Sequence, residues 1–150
     1  MMRSDSYQPQ GVIPACLMPF DAALEIDEAA YRSHLRDLAA VDGVTCVTVN
    51  GHAAEVSTLT AEEQRLAVRI AREELGATKL AAGVFTNSSL EAARIARAAQ
   101  DDGADALLVF PPDSLVLGGH LRPASMIEHL RRITEASDLP LILFQLPVGS

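Results

Sequence analysis

The sequence has no long hydrophobic run, and this absence excludes several classes of protein. No apolar segment approaches the roughly 20 residues needed to cross a bilayer, so we expect no membrane partner. The first ten residues, MMRSDSYQPQ, contain no apolar core and do not resemble a secretory signal. We therefore predict a cytoplasmic protein in which residues 1–10 form a disordered leader before the first strand.

Basic residues and cysteines are also scarce. The net charge is −8, the only lysine is Lys79, and the arginines are scattered over predicted helix faces. Nucleic-acid binding needs a clustered basic surface, so we expect no nucleic-acid partner. Cys16 and Cys46 lie in apolar runs and are predicted to be reduced, buried residues. Neither they nor the four histidines show a metal-ligand spacing, and no motif supports a nucleotide or flavin, so we predict no cofactor.

The sequence does contain a regular alternation of apolar runs and amphipathic segments. Five runs rich in leucine and β-branched residues predict buried strands of a parallel sheet, at residues 12–17, 43–49, 79–84, 106–110 and 139–146. Four amphipathic segments between them predict helices near residues 28–40, 61–75, 90–100 and 124–136. Their start signals are Asp27, the capping boxes Thr60/Glu63 and Ser88/Glu91, and Pro123.

The predicted order β-α-β-α-β-α-β-α-β fits two architectures. A doubly wound open sheet of five strands would be complete at this length. A (β/α)₈ barrel needs about 250 residues and would be interrupted after its fifth strand. The alternation of elements does not choose between them.

Several short motifs favour the barrel. They are GVIPACLMPF at residues 11–20, NGHAAE at 50–55 followed by TLT at 58–60, FPP at 110–112, and DLPLILFQLP at 138–147. Over residues 11–150, in order and at compatible spacing, the chain resembles the dihydrodipicolinate synthase / N-acetylneuraminate lyase family. The resemblance implies a (β/α)₈ TIM barrel, of which this chain supplies about the first five strands and four helices. Residues 11–150 would then be the N-terminal part of one domain.

The family resemblance also implies a chemistry. Members form a Schiff base between a lysine and pyruvate or a related 2-oxo acid, and the imine then allows an aldol or lyase step. The resemblance implies that this lysine lies on the sixth strand, beyond Ser150. Lys79, at the start of a strand, is predicted to be an ordinary surface lysine at the opposite rim. We therefore expect the 150 residues alone to be inactive and the natural protein to continue, as a homo-oligomer of two or four subunits.

Some positions depart from the family pattern. The resemblance implies that Gly51, His52 and Ala53 hold the substrate carboxylate, but the family's two threonines are here His52 and Ala53. Phe144 replaces the family's proton-transferring tyrosine, and Val148-Gly149 replaces an arginine that grips an acidic second substrate. These differences argue against dihydrodipicolinate synthase itself. His52 is a candidate acid/base; alternatively it caps a backbone carbonyl, or substrate or later residues transfer the proton.

Four phenylalanines fall at predicted carboxyl ends of strands, namely Phe20, Phe85, Phe110 and Phe144. They either form an apolar mouth, which would suit a less acidic second substrate, or simply cover the core. Glu55 is predicted to brace its loop. The leading hypothesis is a Schiff-base lyase acting on a small 2-oxo acid. The alternatives are a non-catalytic family member that binds a 2-oxo acid or only assembles with other subunits, and, last, an unrelated doubly wound binding domain.

Overall fold

The computed structural model describes residues 7–116 and 118–145. These residues form five helices: α1 (Glu28–Ala39), α2 (Ala61–Leu75), α3 (Ser89–Asp101), α4 (Asp113–Val116) and α5 (Pro123–Ala136). The four strands are β1 (Cys46–Val49), β2 (Lys79–Val84), β3 (Ala106–Val109) and β4 (Leu141–Leu143), and two 3₁₀ turns span His52–Ala54 and Gly119–Leu121. Residues 1–6, the end of the fifth predicted strand at Leu146, and the predicted replacement at Val148-Gly149 lie outside the described residues.

The strands form one parallel sheet in the order β1-β2-β3-β4. A doubly wound sheet reverses its strand order at a switch point, whereas a barrel adds each strand beside the previous one. Within the described residues the order is sequential, as in a barrel. None of the helices described here is long and apolar enough to cross a bilayer.

The first predicted strand is only partly formed. Residues 12–17 run parallel to β1 but make isolated bridges, Val12 with Val44 and Ala15 with Thr48, rather than a continuous ladder. Pro14 has no N–H to donate, although its carbonyl accepts a hydrogen bond from Thr48 N at 2.8 Å. The prediction of a regular strand here is therefore wrong in detail, because a proline interrupts the pairing.

The predicted helix starts are confirmed, with one difference. At α2 the capping box is complete: Thr60 Oγ1 accepts from Glu63 N, and the Glu63 carboxylate accepts from Thr60 N. At α3, Ser88 Oγ accepts from Glu91 N at 3.3 Å, but Ser88 N donates to Thr86 Oγ1 instead of to Glu91. The second capping box thus has only one of its two hydrogen bonds, because the Thr86 hydroxyl accepts the one from the Ser88 N–H.

The helices cover one face of the sheet. Alternate strand residues, among them Val47, Leu80 and Leu107, pack with α1, α2, α3 and α5 in the main core. The opposite face carries small residues, Cys46, Ala81 and Ala106, and packs with Tyr7, Ile13 and Ile142 rather than with a helix. This second face corresponds to the interior of a barrel. Tyr7 lies in the predicted leader, and its contact with this face was not predicted from the sequence.

Both cysteines are buried and unbonded to each other, as the sequence predicts. Burial raises the pKa of the Cys16 thiol to about 11, and burial also raises the pKa of Cys46. The thiol of Cys16 lies 3.8 Å from the hydroxyl of Tyr31. Both side chains therefore act as protonated packing residues rather than as nucleophiles.

Candidate active site

The loop after β1 contains the predicted carboxylate-binding residues. Asn50 takes a left-handed conformation with φ 53°, and Gly51 is extended before the 3₁₀ turn at His52–Ala54. The Asn50 side chain is buried, and its Nδ2 donates to the carbonyl of Gln64 in α2 at 2.9 Å. Asn50 therefore ties the start of this loop to the first turn of the following helix.

A glycine on β2 allows the same loop to cross the sheet closely. A Cβ atom at Gly83 would lie 1.8 Å from the carbonyl oxygen of Asn50, a distance that no side chain can occupy. Glycine in a strand often marks such a close backbone approach. Asn50 and Gly83 thus fix the height of the loop above the sheet. This pair was not predicted from the sequence, although an asparagine before a glycine and a glycine inside a strand are the available signals.

The 3₁₀ turn leaves backbone donors available. Ala54 N donates to Gly51 O at 3.1 Å, and Glu55 N donates to His52 O at 3.0 Å. Among residues 7–116 and 118–145, no protein acceptor takes the N–H groups of His52 and Ala53. Consecutive free N–H groups in a tight turn form a concavity suited to an anion. Gly51, His52 and Ala53 therefore lie together in one loop with two available N–H groups; that they bind a carboxylate stays a prediction.

Four aromatic rings meet at the carboxyl ends of the strands. His52 stacks on Phe110, with centroids 4.2 Å apart and planes at 23°, and approaches Phe85 and Phe144 edge-on at 5.4 Å and 5.7 Å. Phe110 also lies 4.8 Å from Phe144 and 6.2 Å from Phe85. We call these four residues the aromatic cluster. Its three phenylalanines each follow the last residue of a strand.

Backbone hydrogen bonds extend the parallel ladder to these rings. Phe110 N donates to Val84 O at 3.1 Å, and Phe144 N donates to Val109 O at 2.9 Å. By the alternation of strand side chains, Phe110 and Phe144 follow the same face as Ala106 and Ile142, which is the face without helices. The aromatic cluster therefore stands at the carboxyl edge of the interior face, where barrel enzymes place their active sites.

The structure decides two points that the sequence left open or only partly described, for Phe20 and for Glu55. Phe20 does not join the aromatic cluster; it packs against the main core and pairs with Ile26 through an antiparallel bridge, so the short turn between them draws it away. Glu55 does brace its loop, but through its backbone: its carbonyl accepts hydrogen bonds from Thr58 N and Thr58 Oγ1, both at 2.8 Å. No hydrogen bond from the His52 side chain to a backbone carbonyl is present among the described residues.

Lys79 lies at the opposite rim of the sheet. It is the first residue of β2, and its Nζ contacts the carboxylate of Asp105 at 2.8 Å. Arg72 shares that carboxylate, at 3.0 Å, and Leu80 N also donates to it. Lys79 is therefore an ion-paired rim residue, remote from the aromatic cluster at the other end of the strands. Among the described side chains, no group of three potential metal ligands occurs.

A sequential parallel sheet with helices on one face, and a site at the carboxyl ends of its strands, defines a protein of the (β/α)₈-barrel class. The sequence profile of the Dihydrodipicolinate synthetase family matches residues 8–150. The chain belongs to this family of lyases. It spans about half the length of the curated relatives and solved structures that it matches.

Individual relatives agree with this assignment. The 4-hydroxy-tetrahydrodipicolinate synthase of Methanothermobacter thermautotrophicus is 36% identical over 139 residues, which cover 92% of this chain and 47% of that protein. An uncharacterised DapA-like lyase of Thermococcus kodakarensis is 30% identical over 92% of this chain and 46% of its own length. The dihydrodipicolinate synthase structure from Aquifex aeolicus superposes with a TM-score of 0.79 at 28% identity, covering 92% of this chain and 45% of that one.

Proposed function

We propose that the full protein is a class I lyase or aldolase that forms a Schiff base with pyruvate or a related 2-oxo acid. A lysine amine attacks the ketone, water leaves, and the protonated imine accepts electrons from the adjacent carbon–carbon bond. Lys79 is ion-paired with Asp105 at the opposite rim, so the proposal assigns the reaction to a lysine outside residues 1–150. This half of the barrel would supply the substrate cradle and part of the proton-transfer machinery.

The free N–H groups of His52 and Ala53 support the binding of a 2-oxo acid. A carboxylate is a good acceptor for consecutive backbone donors, and these two N–H groups have no protein acceptor among the described residues. Because the family's threonine hydroxyls are absent, the cradle here would rely on the backbone. The Asn50–Gly83 contact would keep its geometry fixed before substrate arrives.

The position of His52 is the observation that carries the proposed mechanism. Phe144 stands where the family has a tyrosine and has no hydroxyl, so it cannot move a proton. The imidazole of His52 lies 5.7 Å from the Phe144 ring, within the same aromatic cluster. Imidazole is the side chain that most often serves as a general acid/base. We therefore assign His52 the role of giving and taking the proton at the carbon and oxygen atoms next to the imine.

The same substitutions argue for a reaction other than that of dihydrodipicolinate synthase. A dicarboxylate product needs a second anion-binding group near the mouth, whereas the aromatic cluster presents three phenylalanines there. The full protein is further proposed to be a homo-oligomer of two or four subunits.

Borohydride trapping tests the proposal. Treating the full protein with pyruvate and borohydride should fix one reduced adduct per subunit, visible in the intact mass. Peptide mapping should place it on a lysine outside residues 1–150, and Lys79→Met should trap as well as the wild type. His52→Ala should still form the adduct. It should lower the kcat of the lyase or aldol reaction by about 10²–10⁴, the usual contribution of one acid/base group. An adduct on Lys79, or full activity in His52→Ala, would contradict this assignment.

A non-catalytic family member is the second candidate, because Ala53 and Phe144 lack the hydroxyls that the family uses. That protein would bind pyruvate reversibly at the same cradle without trapping. Calorimetric binding of pyruvate with no borohydride adduct would establish it in place of the lyase.

A further inference from the structure

We propose that the second substrate is an aldehyde carrying an aromatic ring, and that the aromatic cluster is its binding subsite. This inference rests on the proposed Schiff-base function and adds the substrate class. In the reaction, His52 takes a proton from the methyl carbon of the pyruvate imine, and the resulting enamine carbon attacks the aldehyde carbon. The new carbon–carbon bond leaves an alkoxide, which takes a proton from His52, and water then releases a 4-hydroxy-2-oxo acid from the lysine.

The aromatic cluster has a buried floor and open walls. Phe110 is 2% exposed and contacts the other three rings, so it forms the floor. Phe85, Phe144 and His52 are less buried than Phe110 within this part of the barrel, so they form the walls around it. His52 stacks on Phe110, and three of the other ring pairs are edge-to-face; stacked and edge-to-face pairs are the arrangements that aromatic groups prefer. A further ring can therefore join the cluster in the same manner.

The location ties this surface to the reaction. His52 belongs both to the aromatic cluster and to the loop at Gly51–Ala53. Its ring is part of the cluster, and its backbone N–H is one of the two free donors in the loop, the other being that of Ala53. A 2-oxo acid held by that loop is thus adjacent to the rings. The acceptor aldehyde must approach the same place to form a bond, so its substituent meets the aromatic walls.

The chemistry of the walls selects against an acidic substituent. Phenylalanine side chains carry no hydrogen-bond donor and no charge, so a carboxylate placed against Phe85 or Phe144 would lose water without gaining a partner. The described arginines that make ion pairs lie on helices on the other face of the sheet, such as Arg65 with Asp102 and Arg72 with Asp105. An aromatic or apolar group would gain contact area there and has no hydrogen bonds to water to give up.

Aldol addition of pyruvate to two aldehydes tests the inference, with the full protein and with benzaldehyde and succinic semialdehyde as probes. We expect kcat/KM to be at least about tenfold higher for benzaldehyde, a ratio equivalent to about 1.4 kcal/mol of differential binding. Phe85→Leu, which keeps an apolar side chain but removes the ring, should lower that ratio several-fold. Phe20→Leu is the matched control, because Phe20 is also a partly buried phenylalanine but lies outside the cluster, and it should leave the ratio unchanged.

The outcomes separate the two proposals. If pyruvate gives no borohydride adduct, the Schiff-base function fails. If the adduct forms but succinic semialdehyde is preferred, or if Phe85→Leu leaves the ratio as it was, the aromatic subsite is refuted while the Schiff-base function stands.

Discussion

Replacing Gly83 with alanine is the most direct test of how the cradle loop is built. The added Cβ would lie 1.8 Å from Asn50 O and 2.6 Å from Asn50 C, well inside the contact distance of about 3.5 Å. Both atoms belong to the backbone and cannot rotate away. Forcing extra atoms into a packed region costs about 1–3 kcal/mol, and we expect the upper end of that range here. The midpoint of thermal unfolding of the full protein should fall by about 6 °C or more.

Scanning calorimetry measures this effect, with Gly51→Ala as the matched control. Gly51 has φ −90°, and a Cβ there would meet only Thr48 Cγ2, at 3.9 Å, so the control should unfold within about 2 °C of the wild type. Because Gly83→Ala pushes Asn50 and the following loop outward, the KM for pyruvate should also rise. A Gly83→Ala protein that melts like the wild type would show that the loop does not cross β2 as closely as described.

Three further predictions concern stability. Thr60→Ala should lower the free energy of unfolding by about 1 kcal/mol, because it removes the capping box of α2. Thr60→Ser keeps a hydroxyl and should retain most of that stability; denaturant titrations measure both. His129 is buried, and burial lowers its pKa, so the unfolded chain takes up a proton more readily than the folded one. Stability from this group is present above about pH 6.5 and is lost as the pH falls below it; His129→Gln should flatten that dependence in melting curves, and an unchanged slope would contradict it. Asp102→Ala should cost about 1 kcal/mol through the lost bidentate pair with Arg65, whereas the exposed neighbour Asp101→Ala should cost less; equal losses would rule out the pair as the cause.

The helices and most of the strands were predictable because their signals are local. Thr60 and Glu63, three residues apart, predict the start of α2. The structure confirms both hydrogen bonds of this capping box. Apolar runs likewise locate β2 and β3. The first apolar run was predicted to be a regular strand, and this prediction was wrong. Pro14 lacks the N–H that a continuous ladder would need, and whether that N–H is needed depends on the neighbouring strand, which the sequence does not show.

The sequence predicts which residues come near the carboxyl ends of the strands only in part, and it does not predict their arrangement. The motif around Gly51 and three of the four phenylalanines do meet there. Only the fold shows that His52 stacks on Phe110, or that Phe20 turns away to the core. These contacts join side chains from separate loops, and the spacing of residues in the chain holds no information about ring geometry. The close approach at Gly83 is similarly a property of two elements together.

The strand order β1-β2-β3-β4 has a consequence for how the protein is made. Each strand pairs with the strand synthesised just before it, so every new strand meets a completed edge. Ribosomes extend a chain by about 5–20 residues per second, whereas loop closure and helix formation take on the order of a microsecond or less. Each successive strand and helix therefore has seconds in which to dock before the next one emerges. Nascent chains arrested after β2, β3 and β4 should gain protease resistance in steps, growing from the N-terminal side.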